Sequence, residues 1–430
     1  QASGYLVMPS STLRLRSQYT DSLANSFYLS EAFLKKALRS NRPVGDVPRI
    51  PLDGGSVVLS AGTKLNLDAT LQSAAAKGGR GGFADIKGTK ILVAGADTAL
   101  SNYNGYLILD SERLNSFGAE SLLLGGVRQQ GSVGIEVDVG ATDIVIDNRG
   151  SVLAGPELLF ASTGDITIKD GARLETKGTI SGSSGDLRIR PAIASFTNTQ
   201  GTPAPNDDVL VHTALDQGAV LRLSSGEQVD ILRNIDAVDQ FTALAANPAA
   251  LAAVNTQRVA RGLAPLTPRG SLFIENGASL ISSRSLALDS TNDTRLASGA
   301  TIGAKQISAA ASRVSIGAVP GGTAGLVFPR ASLGALASAD DIRLKSYSSI
   351  DFFGAVSLKA AGNLTLDSRQ IQAITGGADL IGISGATLTL TNTSGGAATS
   401  NLGSASLLLE GGNIRLEGQN KWISGVNKVT

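Results

Sequence analysis

Short runs in which apolar and polar residues alternate recur along most of this chain, each following Gly, Asp or Asn. Asp143-Ile144-Val145-Ile146 is followed by Asp165-Ile166-Thr167-Ile168 and Asp186-Leu187-Arg188-Ile189, a period of about 21–22 residues. A second series comprises Ile342-Arg343-Leu344, Leu364-Thr365-Leu366, Leu388-Thr389-Leu390 and Ile414-Arg415-Leu416, spaced by about 22–26 residues. Within each period a Gly-Ala-x-Leu/Ile element repeats, at Gly171-Ala172-Arg173-Leu174, Gly277-Ala278-Ser279-Leu280 and Gly299-Ala300-Thr301-Ile302. Val57-Val58-Leu59, Leu65-Asn66-Leu67, Ile91-Leu92-Val93 and Leu107-Ile108-Leu109 are related strands. Alternation with period two marks a strand with one buried face.

A strand of three to five residues cannot bury that face alone. Stacking equivalent strands about every 20 residues solves the problem, because neighbours pair at about 4.8 Å and their apolar residues join into a column. Gly, Asn, Asp and Ser suit the corners between strands. The pattern predicts an all-β fold, a right-handed parallel β-helix (β-solenoid) with small helical insertions, about 15 coils and about 70 Å long at this rise. A leucine-rich repeat has a similar period, but its Leu-x-x-Leu-x-Leu-x-x-Asn signature is not sustained. A propeller carries blades of about 40 residues with periodic aromatics, and aromatics are scarce here.

Three segments break the rhythm. Residues 1–51 form an N-terminal segment in which Ser26 to Leu38 suits an amphipathic helix, ending before Asn41-Arg42-Pro43. This helix reads as a cap or docking element, or as one packed on the side of the rod. The β-helix is then expected over 52–430, with a Pro-rich surface loop near 191–208 and Ala-rich helices over 236–268.

Composition supports many thin layers. Aromatics make up 4% of 430 residues, with one Trp and one Met against 51 Gly. The apolar content is mainly Leu, Ile, Val and Ala, which fits a narrow interior. Basic and acidic residues number 37 and 36 without blocks of one sign, so attraction to nucleic acid or anionic membrane is not indicated. The absence of cysteine removes disulfides, thiolate metal sites and a cysteine nucleophile. No apolar run reaches eighteen residues, so no transmembrane helix is expected. The start at Gln1-Ala2-Ser3, without Met or a signal-peptide pattern, suggests an internal or processed piece of a longer protein.

Catalytic, cofactor and metal residues are not assigned. His212 is the single histidine, and no nucleophile elbow accompanies it. Asp207-Asp208 and Asp340-Asp341 are adjacent pairs, whose side chains point to opposite faces of a strand, unlike carboxylates set about 5–10 Å apart across a sugar. Gly78-Gly79-Arg80-Gly81-Gly82 lacks the Lys-Ser/Thr of a phosphate loop, and the calcium-binding nonapeptide of β-rolls is absent. Tyr103, Tyr106, Phe352, Phe353 and Trp422 are candidate ligand contacts that would stack on sugar rings where exposed. Stacking inside the rod is their alternative role.

Ala361-Gly362-Asn363-Leu364-Thr365-Leu366, Gly164-Asp165-Ile166-Thr167-Ile168 and Gly54-Gly55-Ser56-Val57-Val58-Leu59-Ser60-Ala61-Gly62 resemble the filamentous haemagglutinin-like large exoproteins of Gram-negative two-partner secretion. The resemblance covers most of 52–430 outside the two insertions. It implies a rod exported through an outer-membrane two-partner secretion transporter and folded outside the cell. Such proteins serve as adhesins, aggregation factors, biofilm-matrix components or toxin stalks. The family's amino-terminal secretion domain is not recognisable, which points to a shaft segment. The expectation is therefore a secreted or cell-surface adhesin rod, not an enzyme, with a polysaccharide or cell-surface ligand and self-association as a further option. The alternatives are a carbohydrate-active β-helix, such as a polysaccharide lyase or phage tailspike, and a filament-forming scaffold.

Overall fold

Strand register turns the sequence repeat into columns. The computed structural model describes residues 52–430 apart from 132–133, 182–184, 199–208, 261–264, 331–332, 337–338, 396–397, 399–400 and 419. The described chain is mostly β, with a large mixed sheet and smaller sheets beside it.

In one column, Lys90–Ala94, Ala141–Asp147, the end of Glu157–Ile168, Leu272–Ile274 and Thr294–Leu296 pair in parallel. Ile91, Ile144, Ile166 and Leu272 sit in one row of this column and are all fully buried. A second column runs from Ser56–Ser60 through Phe83–Lys87, Ser121–Leu124 and the start of Glu157–Ile168. Beyond Ala219–Ser224 it continues with Ser285–Ser290, Gln306–Ala311, Asp341–Ser346, Asn363–Asp367 and the ends of Leu380–Thr391 and Ala405–Leu416. At about 4.8 Å per strand these eleven strands span about 50 Å among the described residues, shorter than the repeat alone suggested.

The second sequence series falls in register, with Ile342, Leu364, Leu388 and Ile414 as successive partners. The Gly-Ala elements also align: Leu174 pairs with Leu280 and Leu280 with Ile302, while Leu153 lies on the other side of Leu174. Ala172 and Ala278 are fully buried beside them. The inward rows of all columns merge into one continuous apolar core.

The first series departs from expectation at its third member. Leu187–Ile189 does not stack on Asp165-Ile166-Thr167-Ile168; it pairs with Ile135, Glu136 and Val137 in a separate sheet. The strand that does cover Ile166 is Leu272–Ile274, because the chain leaves the stack in between.

That separate sheet comprises the antiparallel hairpin Gly126–Gly131 and Gly134–Val139, with Leu187–Ile189 and Ile231–Leu232. Its Ile135, Val137, Leu187 and Ile189 pack on Leu123, Leu159, Ala161 and Val220, which face outward from the second column. Strands there are covered on both faces. This explains why Leu122-Leu123-Leu124 and Leu158-Leu159-Phe160 read as continuous apolar runs and not as alternation.

The helical insertion is present. Helix α1 spans Ser111–Phe117, α2 Ile235–Ala245 and α3 Pro248–Ala260. The Asn234 side chain accepts from Ala237 N at 3.1 Å and caps α2, and Phe241 packs with Leu215, Val254 and Leu266. At seven residues α1 is too short for a helical period to stand out in the sequence. Its signals are local: Asp110 accepts from Arg113 N at 2.9 Å, and Gly118 closes it at φ 74°. The expected loop near 191–208 needs correction at its start. Ala192–Asn198 forms an antiparallel ladder with Val209–Leu215, as its Ile, Phe and Thr content allows; 199–208 lie outside the described residues. The amphipathic helix expected over 26–38 lies outside them too.

Candidate functional site

Residues that point outward from the first column form one row, Leu92, Val145, Thr167, Phe273 and Arg295. The chain after Lys90–Ala94 folds back over the first two. Tyr103, Tyr106 and Ile108 pack on Leu92, Ala94 and Val145, and the two tyrosine rings meet edge-to-face at 5.7 Å. The Tyr103 hydroxyl donates to Asp147 Oδ2 at 2.9 Å, and the Tyr106 hydroxyl to Asp143 Oδ2 at 2.6 Å.

These hydroxyls are fixed donors. Burial pushes Tyr103 up to about 12, and the bond to Asp147 adds to the shift. Burial and Asp143 drive Tyr106 upward in the same way. Behind them Lys90, Asp143 and Asp165 are successive partners across the strands, and Arg269 bridges the two carboxylates. Lys90 lies over the Tyr106 ring at 5.6 Å. Arg269 Nε is 2.8 Å from Asp165 Oδ2 and its Nη2 3.6 Å from Asp143. Arg149 Nε donates to Asp147 Oδ1 at 3.0 Å, and Asp165 Oδ1 accepts from Gly270 N and Ser271 N, both at 2.9 Å. Each carboxylate on this face is thus engaged in holding backbone, tyrosine or arginine.

Where the tyrosine cover ends, the row continues as an open groove of about 490 Å3 lined by Thr167, Lys169, Phe273, Glu275, Arg295 and Leu296. Phe273 is half-buried, with the Arg295 guanidinium over its ring at 5.6 Å. Lys169 Nζ and Glu275 Oε1 close an ion pair at 2.7 Å along one edge, and Arg295 meets Asp293 at 2.9 Å. An aromatic face flanked by donors and acceptors suits the apolar face and hydroxyl rim of a sugar ring. Phe273 was not among the expected contacts. Its signal was its central place in Leu272-Phe273-Ile274, where inward neighbours leave the middle side chain outside.

The five expected contact residues do not form one site. Tyr103 and Tyr106 share the lateral face. Phe352 is fully buried and belongs to the core, a correction to its reading as a ligand contact; with Ile350 it is an inward residue of Ser349–Phe353, and Phe353 beside it is half-buried. Trp422 lies elsewhere, beside a cavity of about 280 Å3 with Ile371, Leu390 and Leu416, and its buried Nε1 has no acceptor. His212 lies in the Val209–Leu215 strand, opposite Ser195. Asp341 Oδ1 accepts from the Asn363 side chain at 2.7 Å, and Asp207-Asp208 lies outside the described residues.

No helix among the described residues is long and apolar enough to cross a membrane. Neither a protein-family model, a curated protein nor a solved structure matches this chain.

Proposed function

We propose that this chain is a segment of a right-handed parallel β-helix that is secreted or displayed on a bacterial surface, and that it attaches to polysaccharide through its lateral face without catalysis. The order of strands supports the coiled path. Ser285–Ser290, Thr294–Leu296 and Thr301–Gly303 belong to three different columns, and Gln306–Ala311 then returns to the first of them. Asp341–Ser346, Ser349–Phe353 and Val356–Lys359 repeat the order before Asn363–Asp367 returns. Export through an outer-membrane two-partner secretion transporter belongs to the same reading by resemblance.

The observation that carries the binding reading is the open groove around Phe273, a half-buried ring beside Arg295 set among charges that are already paired. Such a surface offers stacking and hydrogen bonding, and the neighbouring carboxylates Asp143, Asp147 and Asp165 are held by their own partners. The test is binding of the purified chain to an array of bacterial and host polysaccharides, with Phe273→Ala in parallel. Retention of a polysaccharide that the variant loses supports the reading. Depolymerisation of a bound polysaccharide would replace it with the carbohydrate-active alternative.

A further inference from the structure

Asparagine followed by glycine occurs twice in this chain, at Asn104-Gly105 and Asn276-Gly277, and each pair forms the centre of a tight turn. The Tyr106 N–H donates to the Tyr103 carbonyl at 3.2 Å across the first turn, and the Ala278 N–H to the Glu275 carbonyl at 3.3 Å across the second. Gly105 takes φ 80° and Gly277 φ 69°, a left-handed conformation that glycine adopts without cost. All four residues are exposed. Asparagine is a chemically labile residue, and a following glycine leaves no side chain to keep the next peptide nitrogen from the asparagine side-chain carbonyl.

Packing separates the two turns. The second lies against the following layer, where the Gly277 N–H donates to the Gly299 carbonyl at 3.1 Å and the Gly299 N–H donates back to Asn276 Oδ1 at 3.1 Å. The nitrogen and the side-chain carbonyl are thus each held, and a Cβ on Gly277 would collide with Asp170 Oδ1. The first turn is open. Among the described residues no hydrogen bond reaches the Asn104 side chain or the Gly105 N–H, and a Cβ on Gly105 would meet nothing within 4 Å.

We propose that Asn104 is a site of spontaneous covalent modification, deamidated through a cyclic imide with Gly105, while Asn276 is preserved. The Gly105 amide gives its proton to water and its nitrogen bonds to Asn104 Cγ. The Cγ–Nδ2 bond breaks, and Nδ2 takes a proton back from water and leaves as ammonia. A second water adds to one of the two imide carbonyls, and the C–N bond at that carbonyl breaks. Opening at Cγ leaves aspartate; opening at the Asn104 main-chain carbonyl leaves isoaspartate, whose chain is one carbon longer. The net change is one water consumed and one ammonia released. Rotating the Asn104–Gly105 peptide into position breaks no hydrogen bond, whereas Asn276 must first lose both bonds to Gly299, which slows its reaction by about tenfold or more.

The Asn104 turn joins Tyr103 to Tyr106, whose hydroxyls hold Asp147 and Asp143. A longer chain and a new carboxylate between the two rings draw them off those partners and loosen the cover over Leu92 and Val145. This effect is independent of any ligand at the Phe273 groove.

The test is storage of the intact chain in warm neutral buffer, followed by peptide mapping with mass spectrometry that resolves aspartate from isoaspartate. The peptide holding Asn104 should gain roughly one mass unit, with isoaspartate present, about tenfold or more faster than the peptide holding Asn276. In urea the two rates should converge. The thermal midpoint of the stored chain should fall, while Asn104→Gln, whose longer side chain cyclises poorly, should keep its midpoint over the same period. An unmodified Asn104, equal rates in the folded chain, or a rate difference that persists in urea would overturn the proposal. A stored chain with deamidated Asn104 and an unchanged midpoint would overturn the loosening of the tyrosine cover.

Discussion

Arg222 and Glu157 form a buried ion pair across strands that run in opposite directions, with Arg222 Nη2 2.6 Å from Glu157 Oε1. Ala219–Ser224 is the one strand of the second column that runs antiparallel to both its neighbours. The pair sits at the point where the chain returns from its excursion into the stack. Arg128 from the side hairpin stands 4.0 Å from Glu157 and 2.7 Å from Asp85, and the Ser121 hydroxyl donates to Glu157. Arg222 also donates to Ser285 Oγ at 3.0 Å in the next strand. One polar ladder thus ties the parallel strands, the inserted strand and the covering sheet together.

Removing one partner leaves the other charge buried. Glu157→Ala is expected to destabilise the fold by about 3–5 kcal/mol, read as a shift in the urea midpoint. A loss below about 1 kcal/mol would mean that the ladder is solvated and contributes little.

The same group sets a pH dependence. Burial pushes Glu157 up, but Arg222, the Ser121 hydroxyl and Arg128 outweigh it and hold the carboxyl below the ordinary glutamate value of 4.5. A carboxyl with a lowered folded-state pKa stabilises the fold above its unfolded value and loses that contribution as pH falls through the folded one. Stability should therefore decline below about pH 4.5, and more steeply in the parent chain than in Glu157→Gln. Parallel melting curves for the two proteins between pH 6 and pH 3 are the measurement.

Phe273→Ala is expected to reduce polysaccharide binding by up to about tenfold, the scale of one aromatic stacking contact. The thermal midpoint should move little, since the ring is half-buried on the outer face. Tyr106→Phe, by contrast, removes the donor to Asp143 and should cost about 1–3 kcal/mol of stability.

Gly125 tests the corner geometry. It lies at φ 99°, and a Cβ there would come 2.2 Å from the Ala161 carbonyl oxygen. Gly125→Ala is expected to destabilise by about 2 kcal/mol or more, from backbone strain and displacement of the neighbouring layer. Val58→Ala, at a position 50% exposed, should stay within about 0.5 kcal/mol. Differential scanning calorimetry of both variants gives the comparison.

The β class, the helical excursion and most of the inward residues are legible in the order of apolar and polar positions. Period-two alternation records one buried face, so Ile166, Leu364 and Leu388 could be read as inward without knowing what stacks on them. The second series stacks as its spacing suggested, because its insertions are short and successive layers stay adjacent. Which layers touch once the chain leaves the stack is set by the folded chain. Leu272–Ile274, not Leu187–Ile189, covers Ile166, and Ala219–Ser224 enters backwards, held by Arg222 and Glu157. Both facts are set by pairing between distant segments, which local alternation does not encode. The outer face followed the same division: Phe273 stays half-open and Leu159 is covered because of what folds over each column, and Asp216 and Asp289 meet Arg233 only in the folded chain.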